Sequence, residues 1–197
     1  MKKIFCLASF LLITLSASSQ VRIEAGTSIG GFKTALVNYS AKAGITAGAF
    51  YDFGFESNPN EFLAVGLQYT ETGYEAQGLD GKVSWIQLPL ESHTKLKAGD
   101  KLFMLFDVGI FFGYALSRST NVYWKYGDTP MVTDISDSVK KFNFGSTAGI
   151  GIGLSKFSLI LNWQRGILNL MGPTPDDIFT TNSYNTNSWR IALGFNI

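Results

Sequence analysis

Between Leu102 and Leu116 apolar side chains recur at every second position: Leu102, Met104, Phe106, Val108, Ile110, Phe112, Tyr114 and Leu116. In an extended strand these share one face, and the other carries Phe103, Leu105, Asp107, Gly109, Phe111, Gly113 and Ala115. A strand rises about 3.3 Å per residue, so a tilted segment of this length crosses a hydrocarbon layer. The stretch is shorter than a transmembrane helix requires, and Asp107 and two glycines weigh against one.

The same period of two marks eight strands, roughly 21–31, 41–53, 61–72, 82–96, 101–117, 141–154, 157–167 and 188–197. In the third, Leu63, Val65, Leu67 and Tyr69 oppose Ala64, Gly66, Gln68 and Thr70. In the last, Trp189, Ile191, Leu193, Phe195 and Ile197 oppose Ser188, Arg190, Ala192, Gly194 and Asn196. No segment sustains a 3.6-residue period. The connections 32–40, 73–81, 118–140 and 168–187 are mostly long, whereas 54–60, 97–100 and Ser155-Lys156 are shorter. Long loops on one side and short turns on the other are what an up-and-down membrane barrel shows. A Greek-key sandwich has no reason to alternate connection length strand by strand. The expected fold is all-β: an eight-stranded antiparallel up-and-down transmembrane β-barrel, with one face of each strand against lipid.

The first residues read as an export signal. Lys2 and Lys3 form a basic start, Ile4 to Leu15 an apolar core, and Ala17 and Ser19 the small residues before a cleavage at Gln20. This divides the chain into a signal peptide, 1–19, and a barrel domain, 20–197. The only cysteine, Cys6, lies in the signal, so no disulfide, thiol catalysis or cysteine metal site is expected in the mature chain. Of 16 basic residues two precede the cleavage point, leaving 14 against 15 acidic ones, a balance that gives no electrostatic case for nucleic acid. Tyr51, Phe53, Tyr69, Tyr74, Tyr114, Phe142, Trp163, Trp189 and Phe195 fall near strand ends, where interfacial girdles would place them.

Several segments carry a resemblance: Gly26 to Lys33 (GTSIGGFK), Leu67 to Gly73 (LQYTETG), Trp85 to Leu90 (WIQLPL), Asp107 to Ser117 (DVGIFFGYALS) and the terminal LGFNI. In order and spacing the chain resembles the PorT-like outer-membrane β-barrel proteins of Bacteroidetes, over nearly the whole mature length. It departs from them at Glu91-Ser92-His93-Thr94 and in ending on Ile197. The resemblance implies an eight-stranded barrel in the outer membrane and allows a part in protein secretion or envelope assembly.

Eight strands enclose a space that side chains just fill. The inward face carries Arg22, Glu24, Lys42, Asp52, Gln68, Gln87, Glu91, Asp107, Asn162, Gln164 and Arg190. Unpaired charges there cost several kcal/mol each, so Arg22 and Arg190 are expected to pair with Glu24, Glu91 or Asp107 in a structural polar network. Glycines 145, 149, 151 and 153 bare the inner face of the sixth strand, which leaves room either for bulky neighbours such as Phe103 or Phe111, the expected outcome, or for a small cavity. Pro89 is expected to mark a bulge. His93, the only histidine, reads as solvated or lumenal: Ser92 beside it points to the other face, which breaks a hydrolase constellation. No catalytic, cofactor-binding or metal site is assigned.

Among the outer loops, Tyr123, Trp124 and Tyr126 are the candidate contacts. Two arrangements suit them: packing down on the barrel mouth, or extending strands five and six outward as a hairpin. The expected function is non-enzymatic, a side-chain-filled barrel presenting extracellular loops for binding or for envelope and secretion roles. Expected partners are outer-membrane lipid, the barrel-assembly machinery during insertion, and an extracellular or envelope protein. Two rivals stand beside it: a soluble periplasmic barrel that binds an apolar ligand, and a membrane-embedded enzyme acting on lipid or peptide.

Overall fold

The computed structural model describes residues 20–33, 40–76, 79–126, 129–170 and 185–197. The expected signal peptide and parts of the outer loops lie outside the described residues. Among the described residues nine strands follow one another: β1 (Gln20–Lys33), β2 (Ser40–Phe55), β3 (Asn58–Ala76), β4 (Leu79–Lys97), β5 (Leu102–Tyr126), β6 (Thr129–Asp134), β7 (Phe142–Leu154), β8 (Phe157–Gly166) and β9 (Asn185–Asn196). Eight of them close into an antiparallel up-and-down barrel in the order β1, β2, β3, β4, β5, β7, β8, β9. The closing seam is the β1–β9 ladder, from Arg22 opposite Asn196 to Lys33 opposite Asn185. Among the described residues β6 pairs only with β5, as a hairpin above the barrel.

Alternation runs inside out relative to a soluble protein. Val108, Leu193 and Ile150 are exposed by 63%, 68% and 57%, while Arg22, Asp52, Gln68 and Asn162 are 1% exposed or less. A continuous apolar outer wall suits hydrocarbon, and the polar interior is the reverse of what a carrier of apolar ligands needs. The wall is edged with rings. Trp163 faces Trp189 across β8–β9 and donates its indole N–H to Asn187 at 2.6 Å. At the other end Phe157 and Phe195 lie 5.2 Å apart, and Tyr51 and Phe53 4.6 Å apart. That end carries both ladder termini and the tight turn at Ser155, whose φ is 57°, and is therefore the periplasmic side.

The strands run further outward than their alternation shows. The expected loop 73–81 is largely strand, since β3 continues to Ala76 and β4 resumes at Leu79. The loop 118–140 is largely the β5–β6 hairpin. Two bulges accompany these extensions. One lies between Lys42 and Thr46 on β2, and the other leaves Leu116 of β5 as an extra residue between the pairs Ser84–Ser117 and Trp85–Ala115. A bulge switches the faces of every residue beyond it. Lys42 therefore points outward, not into the lumen as its parity with Thr46 and Asp52 predicts. Pro89 makes no bulge: its register with Phe111 is regular, and the β3–β4 ladder keeps one register from Leu90 to Gln87 on either side of it.

The glycine face of β7 is filled from β5. A Cβ on Gly145 would sit 2.7 Å from the Phe111 ring, one on Gly151 3.2 Å from Leu105, and one on Gly153 inside the Phe103 ring.

Candidate functional site: the lumen and the outer mouth

Five residues expected to form the lumenal network are all buried inside the barrel, but their pairing differs in part from expectation. Arg22 meets Glu24 through Nη1, and its Nε lies 3.3 Å from Asp52 Oδ2. Its guanidinium also covers the Phe50 ring at 4.5 Å. Arg190 reaches Glu24 Oε2 at 3.4 Å. Both arginines therefore converge on Glu24. Strand geometry explains it: Arg22 and Glu24 stand two residues apart on the inner face of β1, and Arg190 reaches across from β9, the neighbouring strand.

Glu91 and Asp107 contact a threonine and a histidine instead of arginine. Asp107 Oδ1 meets His93 Nδ1, the imidazole standing edge-on to Phe62 at 6.1 Å. Glu91 Oε1 lies 3.3 Å from the Thr147 hydroxyl, which also approaches Asn162 Oδ1 at 2.7 Å. Across the interior Gln164 donates to Gln68 at 3.4 Å, and Gln68 donates to Thr46 at 2.9 Å. The glutamine link joins β8 to β3, opposite walls of the barrel, while Thr147 and Glu91 reach over β5 to join β7 to β4. Asp52 and His93 are the partners that strand parity alone does not reveal, because it gives the face of a residue and not its neighbour around the wall.

Above this polar layer the outer mouth is apolar. Tyr74, Val83, Trp85 and Ala115 from the wall pack against Val139 and Leu170, which come from the segments after β6 and β8. Backbone bonds hold those segments in place: Lys140 N–H to Leu170 C=O at 2.7 Å, and Ala115 N–H to Lys141 C=O at 2.7 Å. Arg118, turned inward by the Leu116 bulge, donates to the Val139 carbonyl. Tyr74, expected in the girdle, is inside this cap, with its hydroxyl 2.6 Å from Thr120. Its even number on β3 matches the inward residues Gln68, Thr70 and Thr72.

The hairpin above the cap turns back through Asp134. Its carboxylate is held below the ordinary range by the Ser136 hydroxyl and by the Ser136 N–H at 2.8 Å. Tyr123 faces Val132 across the hairpin, and the two are 49% and 60% exposed. Of the two arrangements open for the aromatic run, β5–β6 adopts the outward hairpin, while the chain after it packs into the mouth. The side chains of Trp124 and Tyr126 lie outside the described residues. Ser92 is exposed on the outer wall, on the opposite face of β4 from the buried His93–Asp107 pair. Among the described residues no three of His, Cys, Asp and Glu converge as metal ligands.

A family model described as an outer membrane protein beta-barrel domain matches residues 14–172. The chain belongs to that outer membrane barrel family. No curated protein matches the chain. Among solved structures the barrel is similar to Ail, the attachment invasion locus protein of Yersinia pestis, at 11% identity and a TM-score of 0.52, covering 91% of this chain and 99% of that one. It is similar too to Neisserial surface protein A, at 9% identity and a TM-score of 0.49 over 90% and 98% of the two chains. The outer membrane enzyme PagL matches at 14% identity and a TM-score of 0.46, over 89% and 99%. Family and architecture together place this outer membrane barrel with its apolar wall against membrane lipid.

Proposed function

We propose that the barrel is a non-enzymatic anchor that presents the β5–β6 hairpin and its neighbouring loops for binding at the cell surface. The observation that carries this reading is the contrast between interior and exterior. The lumen is bridged by side chains from wall to wall and capped by Val139 and Leu170, whereas the hairpin projects with Tyr123 and Val132 exposed. A filled eight-stranded interior suits neither an open pore nor a substrate channel. The His93–Asp107 pair serves the polar network in this reading, together with Arg22, Glu24, Glu91 and Arg190. The motifs of the PorT-like group support a place in secretion or envelope assembly of a Bacteroidetes cell. Signal cleavage before Gln20 and insertion by the barrel-assembly machinery belong to the same reading, and N-terminal sequencing of the purified protein checks the first.

The test trims the hairpin. A barrel in which residues 123–132 are replaced by an Asn-Gly turn should still insert and still shift on a gel when boiled. In a strain lacking the protein it should fail to restore the growth or secretion defect that the full barrel restores. Full restoration by the trimmed barrel would remove the hairpin from the function.

A further inference from the structure

Just above the apolar wall, one side of the barrel carries polar residues arranged in rows. The last apolar row is Tyr69 of β3, Ile86 of β4 and Tyr114 of β5, which are register partners. Above it come Glu71, Ser84 and Ser117, then Lys42, Gly73, Lys82 and Ser119, then Ser40, Glu75, Asp80, Asn121 and Asp134. Rows on one face are about 7 Å apart, so the first two lie at headgroup depth. Both bulges contribute to this face. Without them Lys42, Ser119 and Asn121 would point inward, and Arg118 and Thr120 would point out.

The rows enclose a groove of about 220 Å³ on the outer surface, lined by Lys42, Gly73, Asp80, Lys82, Ser119 and Asn121. Gly73 forms its floor, since a Cβ there would come 2.7 Å from the Lys42 Cβ. Ion pairs set the side chains around it: Lys42 to Asp80 at 2.6 Å and to Glu75 at 3.3 Å, and Lys82 to Glu71 at 2.9 Å. Glu71 is the most enclosed of these, and also takes the Tyr69 hydroxyl at 2.8 Å and the Ile45 N–H at 3.2 Å. An ammonium has three donors and a carboxylate about four lone-pair sites, so these pairs leave hydrogen-bonding capacity toward the groove. One row further along the same face of β5 stands the exposed ring of Tyr123.

We propose that this groove binds the saccharide headgroup of an outer-leaflet glycolipid. Sugar hydroxyls both donate and accept, which matches lysine, serine and asparagine interleaved with carboxylates, and an exposed tyrosine offers a flat face to a sugar ring. A bare phosphate is disfavoured: in the three rows Glu71, Glu75, Asp80 and Asp134 outnumber Lys42 and Lys82. The position decides the source, because outward-facing groups one pleat above the hydrocarbon edge meet lipid headgroups first.

The experiment uses the full mature barrel in detergent micelles and titrates it, by calorimetry, with three probes. These are the delipidated oligosaccharide from the producing cell's own outer-leaflet glycolipid, inorganic phosphate, and phosphatidylethanolamine vesicles. The oligosaccharide should bind, and the other two should not. Asn121→Ala and Ser119→Trp, both on the outer wall, should weaken it at least about tenfold while keeping the barrel's heat-dependent gel shift. Glu56→Gln, at the periplasmic turn, should leave it unchanged. Absence of oligosaccharide binding, equal binding by the groove variants, or phosphate binding that Asn121→Ala abolishes would each overturn the assignment. Hairpin trimming removes Tyr123 but none of the residues that line the groove, so the titration of the untrimmed barrel and the complementation test of the anchor reading succeed or fail separately.

Discussion

Among single side chains, Arg22 should matter most to stability. It lies against two buried carboxylates, Glu24 and Asp52, whereas Arg190 contributes one 3.4 Å contact to Glu24. Removing one partner of a buried pair leaves an uncompensated charge, which costs about 3–5 kcal/mol. Arg22→Ala should lose stability in that range, and more than Arg190→Ala, when both are unfolded in urea from lipid vesicles. Equal or negligible losses would mean that the lumenal charges are solvated and not paired. The glycines of β7 separate two kinds of obstacle. At Gly153 the nearest atoms are all in the Phe103 ring, while at Gly145 the Arg165 backbone oxygen stands in the way as well. Gly153→Val should destabilise by about 1–3 kcal/mol and be rescued by Phe103→Ala. Gly145→Val should resist rescue by Phe111→Ala, because a backbone oxygen cannot be trimmed.

The β5–β6 hairpin is the element that parity alone could not predict. Leu102 to Leu116 reads cleanly because each residue faces lipid or lumen in turn, and two uniform environments on two faces print a period of two. Beyond Leu116 the outer face meets water and headgroups, the inner face meets the cap, and a bulge reverses the phase. Arg118, Thr120 and Val122 then look inward and Ser119 and Asn121 outward, in a stretch that reads as loop. Cysteine labelling tests this geometry, since Cys6 of the expected signal is the chain's only cysteine. Val132→Cys should react with a membrane-impermeant maleimide on intact cells. Thr147→Cys, fully buried in the lumen, should stay unlabelled until the barrel is denatured. Labelling of both would mean that the cap of Val139 and Leu170 admits solutes.

As a whole the molecule is a closed wall, with β1 and β9 paired along most of their length. Closure removes free sheet edges and makes unfolding cooperative around the ring. Unboiled protein in dodecyl sulfate should therefore migrate faster than boiled protein. In planar bilayers the barrel should show no steady conductance, since Gln164–Gln68 crosses the interior and buried Arg22, Glu24, Glu91 and Arg190 fill the space beside it. Sustained openings would contradict a filled lumen.

The barrel's class, its strand count and the faces of Arg22, Glu24, Glu91, Asp107 and Arg190 could be read from the chain alone. Side-chain direction in a strand alternates by local geometry, and a lipid-facing wall favours apolar residues at every other position. The places where reading failed are those where local geometry yields to a neighbour. Lys42 faces out because β2 bulges against β3, the inward Tyr74 is capped because distant Val139 and Leu170 fold over it, and Arg22 pairs with Asp52 because β2 lies beside β1 at that register. Register, bulge and cap depend on contacts between residues far apart in sequence, and alternation within one strand carries no trace of them.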